Sequence, residues 1–190
     1  MRRFRYPCYN LHGAATMRRM TMGGAIMELN YLKPEDMTDE QRDAFAEKCD
    51  SRSKAEFRMM REACGIELAE LSETFGVRLD TVKRWEHPTK GLPPSLRAWA
   101  YMDACYSRLL DAVETAVQQV EELEDELGHK PNVNISYRRG NMPTRDGETV
   151  GQANAASRAT AMVLVALGYD VKIEWANEGL AGLTADLTRQ

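Results

Sequence analysis

The sequence predicts a mainly α chain: a compact set of short helices, then one long helix, then a small β-α-β tail. Three observations carry that prediction. Residues 61–86 read R-x-x-x-G-I-E-L-A-E-L-S-E-T-F-G-V-R-L-D-T-V-K-R-W-E, two short amphipathic helices about a glycine turn. Apolar residues between Ser95 and Leu127 recur in alternating steps of four and three. Two alternating stretches, Val133/Ile135/Tyr137 and Val171/Ile173/Trp175, flank an alanine-rich helical run.

The bulk numbers bound the reading. A chain of 190 residues allows one domain or two small ones, and an apolar fraction of 43% is enough for a core. The net charge of −4 excludes a basic coat for nucleic acid, but a reader of DNA needs only one basic face. Charge is uneven along the chain. Residues 1–30 carry five Arg against one Glu, residues 31–50 three basic against seven acidic groups, and residues 91–130 three basic against eight acidic groups. A DNA contact is therefore not expected in the last of these. No stretch approaches the apolar length of a membrane span. The basic start MRRFRYPC lacks a following apolar region, so neither a membrane partner nor a secretory signal is expected. Cys8, Cys49, Cys64 and Cys105 form no C-x-x-C pair and have no zinc spacing with His. Reduced thiols in a cytoplasmic protein, without metal or cofactor, are the reading, with Cys64 and Cys105 as small buried hydrophobes.

The elements follow in order. Residues 1–30 lack periodicity and are read as a disordered tail, as a basic arm touching phosphate, or as sequence ahead of a true start at Met27. In the last case Gly23-Gly24 would reflect a purine-rich ribosome-binding sequence and Ala25-Ile26 its spacer. Residues 31–50 form a short acidic helical segment, with Thr38 and Gln41 as a capping signal and Phe45 as its apolar residue. Residues 52–94 form the short-helix domain. Its first helix runs from about Ser53 to Cys64, with Phe57, Met60 and Cys64 on one face and Gly65 ending it. The second covers 67–75, with Leu68, Leu71 and Phe75 inward. Gly76 makes the turn, which needs a positive φ. The third covers 78–86, with Val82 and Trp85 inward, and His87 to Pro94 form a loop.

Ser95 caps a helix that spans 95–128 and reaches roughly 50 Å. Its stripe is Met102, Tyr106, Leu109, Val113, Ala116, Val120, Leu123 and Leu127, a heptad seam. The C-terminal region or a second copy must cover it. A homodimer is the expectation, with Met102, Tyr106, Leu109, Val113, Ala116, Val120 and Leu123 as its seam. Residues 130–176 form a small α/β dimerisation region: a strand in NVNISYR, a helix from about Val150 to Leu167 and a strand in DVKIEWA. This order implies a parallel pair with a crossover helix, or strands exchanged between chains. Residues 177–190 form a tail without signal. The run Glu121 to Glu126 is read as a solvated helix end, and Arg138-Arg139 as a solvated pair at a strand end.

Within 61–86, Ser72 supplies the small side chain where the second helix passes close to the third. Val77, Val82 and Trp85 form the apolar base of the third helix. Leu79, Asp80, Lys83 and Arg84 are left on its outer face, which is polar, narrow and partly basic, as a helix read into the major groove demands. His12, His87 and His129 lie far apart, and Gly151 to Ser157 lacks the glycine spacing and lysine of a phosphate loop. Binding rather than catalysis is expected.

On these residues, over about 53–100, the sequence resembles the lambda-repressor-like, Cro/XRE type of helix-turn-helix domain. Arg61 and Gly65, the Gly76-Val77 turn, the Thr81-Val82 pair and Arg84-Trp85-Glu86 match in register without a gap. The resemblance implies that Arg61 pairs with Glu86, tying the first helix to the third. It implies that Leu79, Asp80 and Arg84 face base edges, with Arg78, Thr81 and Lys83 near phosphate or the groove wall. The chain departs from that family at two caps, where Glu67 and Arg78 replace Ser, Thr or Asn, a change of about 1 kcal/mol each. The layout as a whole is similar to that of anti-CRISPR-associated regulators, which implies an autorepressor that dimerises through its C-terminal part. The resulting expectation is a dimeric, sequence-specific repressor on an inverted-repeat operator in double-stranded DNA. Two other readings stay open. One is an antitoxin that grips a toxin and autoregulates its promoter. The other is an effector-binding protein or enzyme with an accessory DNA domain, for which 130–176 supplies no clustered titratable groups. RNA as a further partner is left open by the sequence.

Overall fold

The computed structural model describes residues 31–140, 144, 148–176 and 183–186, the last four as backbone only. The expectations for residues 1–30, including a start at Met27, lie outside the described residues. The described chain is mainly helical. After a 3-10 turn at Pro34–Asp36 come α1 (Asp39–Asp50), α2 (Lys54–Ala63), α3 (Leu68–Phe75), α4 (Leu79–Glu86) and α5 (Leu96–Leu127). Then follow β1 (Asn132–Tyr137), α6 (Val150–Ala166), β2 (Asp170–Trp175) and β3 (Leu183–Asp186). None of the described helices is long and apolar enough to cross a membrane.

Local chemistry explains most of the boundaries. Thr38 and Gln41 cap each other at the start of α1, and Thr149 and Gln152 do the same for α6. Ser53 and Ser95 accept a backbone N–H at the starts of α2 and α5. Gly76 and Gly128 end α3 and α5 in the left-handed region, with φ of 62° and 73°.

One core gathers the first five helices. Phe57, Leu71, Val82 and Met102 are sealed from solvent, and Trp99 nearly so. The Phe57 ring meets Trp99 edge-on at 5.1 Å and Trp85 at 6.0 Å, while Phe75 meets Trp85 at 5.7 Å. Arg52 borders this core: its guanidinium lies 3.9 Å over the Trp99 ring and donates to Asp103 at 2.7 Å and Glu56 at 2.8 Å. A second core joins Val120 of α5 to Val133 and Ile135 of β1, Ala161 and Leu164 of α6, and Tyr169. The Tyr169 hydroxyl donates to Glu124 at 2.5 Å. One carboxylate of the acidic run therefore holds the entry to β2, while Glu121, Glu122, Asp125 and Glu126 are solvated.

The helix α5 runs through both cores, which take up much of its apolar stripe. Met102 and Leu109 belong to the first core, with Tyr106 and Val113 packed against it, and Val120 belongs to the second. Ala116 and Leu123 are half-buried. A heptad period demands that a stripe be covered but does not say by what. Here the short helices, α6 and the sheet bury Met102, Leu109 and Val120 within one chain, while Leu127 stays exposed.

The strands form one sheet in the order β2-β1-β3. β1 and β2 are parallel, Val133 beside Val171 and Ile135 beside Ile173, with α6 as their crossover. Both strands of this pair come from one chain. The tail, which carries no signal in the sequence, supplies β3, antiparallel to β1. Its four residues, LTAD, are too short to show an alternation. Asn154 of α6 is buried, and its amide both accepts from the Arg138 N–H and donates to the Arg138 carbonyl, at 2.8 and 3.0 Å.

Candidate nucleic-acid interface

The helix α4 is held by one face and by its last residue. Val82 and Trp85 are buried, one turn apart, against Phe57 and Phe75. Truncating a buried Trp to Ala costs about 3–5 kcal/mol, so this anchor is strong. Glu86 ends the helix in a two-pronged ion pair with Arg61 of α2, Nε to Oε1 at 2.5 Å and Nη2 to Oε2 at 3.0 Å. The two side chains are only 10% and 8% exposed. Arg61 also donates through Nη1 to the Ile66 carbonyl at 2.9 Å. One guanidinium thus ties α2, the turn before α3 and the end of α4. The hydrogen bond to Glu86 holds the Arg61 pKa above its ordinary value.

Between α3 and α4 the chain turns through Gly76, Val77 and Arg78. Ser72 is more than a small side chain: its hydroxyl donates to the Val77 carbonyl at 2.6 Å, fixing the angle of the turn. Neither Glu67 nor Arg78 makes a side-chain cap to the helix it precedes.

With one side anchored, the opposite side of α4 is fixed by the 3.6-residue period. Leu79, Asp80, Lys83 and Arg84 are all exposed, as is Arg78 ahead of the helix, whereas Thr81 lies half-buried toward the anchored side. The exposed charges from Arg78 to Lys90 are Arg78, Lys83, Arg84 and Lys90 against the single carboxylate of Asp80. A chain that is acidic overall therefore concentrates positive charge here.

Sequence reasoning missed how the loop after α4 is built. The Lys54 ammonium, at the start of α2, donates to the carbonyls of Arg84, Lys90 and Gly91 at 3.2, 2.9 and 2.9 Å. His87 Nδ1 accepts from the N–H groups of Thr89 and Lys90, at 3.2 and 3.1 Å, and so folds the loop rather than standing free. The loop closes on the stem of Arg84: a Cβ on Gly91 would stand 2.6 Å from Arg84 Cβ. Arg84 is thereby exposed at its head and braced along its stem. A lone lysine at a helix start and a glycine in a Pro/Gly loop give no pattern from which these contacts could be read.

No family model, curated protein or solved structure matches this chain.

Proposed function

We propose that the chain binds double-stranded DNA sequence-specifically, with α3 and α4 as a helix-turn-helix and α4 as the groove-reading helix. The observation that carries this reading is the division of α4 into two sides. One is locked by Val82, Trp85 and the Arg61–Glu86 pair, and the other offers Leu79, Asp80, Lys83 and Arg84 to solvent. A helix that must report base identity needs a fixed axis and a free, polar, narrow side, because base edges are told apart by hydrogen-bond geometry.

In this reading Arg84 donates to guanine acceptors, its stem held by the loop at Gly91. Asp80 accepts from a cytosine amino group. Arg78, Lys83 and Lys90 meet phosphates and supply the salt-sensitive part of the affinity. The first turn of α4 has no side-chain cap, which leaves its N–H groups available to a phosphate oxygen. Transcriptional repression by a dimer that covers a promoter is the corresponding activity.

Selection of bound sequences from random duplex DNA tests the reading. The expected result is an inverted repeat whose half-sites lie about 34 Å apart, one helical turn. Recovery of no preferred sequence contradicts it.

A further inference from the structure

Half of the large apolar side chains exposed among the described residues lie on α6, its C-cap and β2. They are Met162, Val163, Val165 and Leu167, with Ile173 and Trp175 at 54% and 55% exposure. The position of β2 explains the last two. β2 is an edge strand, and its apolar row continues that of β1: Ile173 lies beside Ile135, which is only 3% exposed. The layer that buries Val133 and Ile135 therefore stops short of Ile173 and Trp175. The other face of β2 carries Asp170, Lys172 and Glu174. Natural sheets blunt such edges with charged side chains, proline, bulges or cover, because open N–H and C=O groups beside apolar side chains template another strand. On β2 the charges are of both signs and can pair across the edge. β2 has no proline.

We infer that the β2 edge pairs with the β2 edge of a second copy of this chain, antiparallel about a two-fold axis at Ile173. The register follows from charge. An antiparallel pair directly opposite shares a face of the sheet, and a two-fold normal to the sheet keeps faces, so only residues of the same face can meet. Two such registers keep five residues of each strand paired. Centred on Lys172, the ladder sets Lys172 against Lys172 of the second copy and Asp170 against its Glu174, like charges throughout. Centred on Ile173, it sets Lys172 against Glu174 in both directions, Val171 against Trp175 and Ile173 against itself. Opposite charges face each other and apolar side chains meet on the far side.

Within one chain Lys172 already reaches Glu174 at 2.5 Å, with both side chains more than half exposed. The pair is thus placed to be shared across the two-fold. The joined sheet has six strands, and both copies of α6, with exposed Met162 and Val165, come to the same side of it. The strand is complementary to itself in this one register, which favours a second copy over an unrelated partner. Supplying the two-fold for an inverted repeat rests on the DNA-binding reading; the pairing itself does not.

Sedimentation of the full chain without DNA tests the inference. Wild type is expected to be dimeric at micromolar concentration. Lys172→Glu, which opposes Glu to Glu twice, should weaken the dimer about tenfold or more, and the double swap Lys172→Glu with Glu174→Lys should restore it. Ile173→Asp should give monomers with unchanged circular dichroism. A monomeric wild type overturns the inference, as does a dimer that the single charge reversal leaves unmoved or a double swap that fails to rescue. A dimer that behaves as described but selects no DNA sequence supports the pairing and counts against the reading of α4 alone.

Discussion

Gly65 and Gly151 meet backbone to backbone. A Cβ on either would overlap the carbonyl oxygen of the other, so the first turn of α6 lies directly on the turn between α2 and α3. Gln152, one residue further on, donates to Glu70 of α3 at 3.4 Å. Through this contact the sheet and the short helices take one relative orientation. Under the proposed pairing, it sets where the α4 of a second copy points.

The consequence for Gly151→Ala has a sign that separates two effects. At an ordinary helical position the change to alanine stabilises by up to about 1 kcal/mol. At this contact, overpacking against fixed backbone costs about 1–3 kcal/mol. The account predicts net destabilisation, read as a lower urea midpoint with an unchanged slope. An unchanged or higher midpoint shows that the two turns are not in contact.

Removing Glu86 should be more damaging than removing the whole ion pair. Glu86→Ala leaves the buried Arg61 guanidinium with only the exposed Glu62 carboxylate at 3.4 Å and the Ile66 carbonyl, at about 3 kcal/mol. Replacing Arg61 by Met together with Glu86 by Leu fills the same space without charge and should cost much less. Denaturant unfolding of the three proteins gives the order.

On the exposed side, Arg84→Ala should leave folding nearly unchanged, weaken specific binding by about 1–3 kcal/mol and relax the choice of base at one position in each half-site. Lys83→Ala should weaken all sequences alike and reduce the slope of log affinity against log salt by about one. Anisotropy titrations on specific and scrambled duplexes across a salt series separate the two behaviours.

Burial pushes the thiols of Cys49 and Cys105 from the ordinary 9.0 to about 11 and that of Cys64 to about 12. Above pH 9 the unfolded chain gives up these protons while the folded chain keeps them. Stability is therefore intact below pH 9 and is lost as pH rises from 9 through 11 to 12. The Cys64→Ala/Cys105→Ala double variant should show a shallower alkaline loss of urea midpoint than wild type. Equal slopes contradict the assignment.

Much of this fold could be read from the residues. Period, with the caps at Thr38 and Ser95, located the helices to within a residue or two, because such caps act locally and Gly76 ends a helix by itself. The sides of α4 followed from its neighbours: once Val82 and Trp85 turn inward, Leu79, Asp80, Lys83 and Arg84 must turn out. What escaped the sequence was non-local. The stripe on α5 showed that something must cover it but did not choose between the C-terminal region and a second copy, and gave no sign of the short helices. Neither the three carbonyls gathered by Lys54 nor the meeting of Gly65 with Gly151 has a signature in one dimension. β3 was too short for its alternation to register.

Selection from random duplex DNA, run side by side on wild type and Arg84→Ala, bears most directly on the claim that α4 reads bases. The account predicts an inverted repeat for wild type, and for the variant the same repeat with one position in each half-site degenerate. An identical motif from both proteins removes Arg84 from base reading, and no motif from wild type contradicts the claim as a whole.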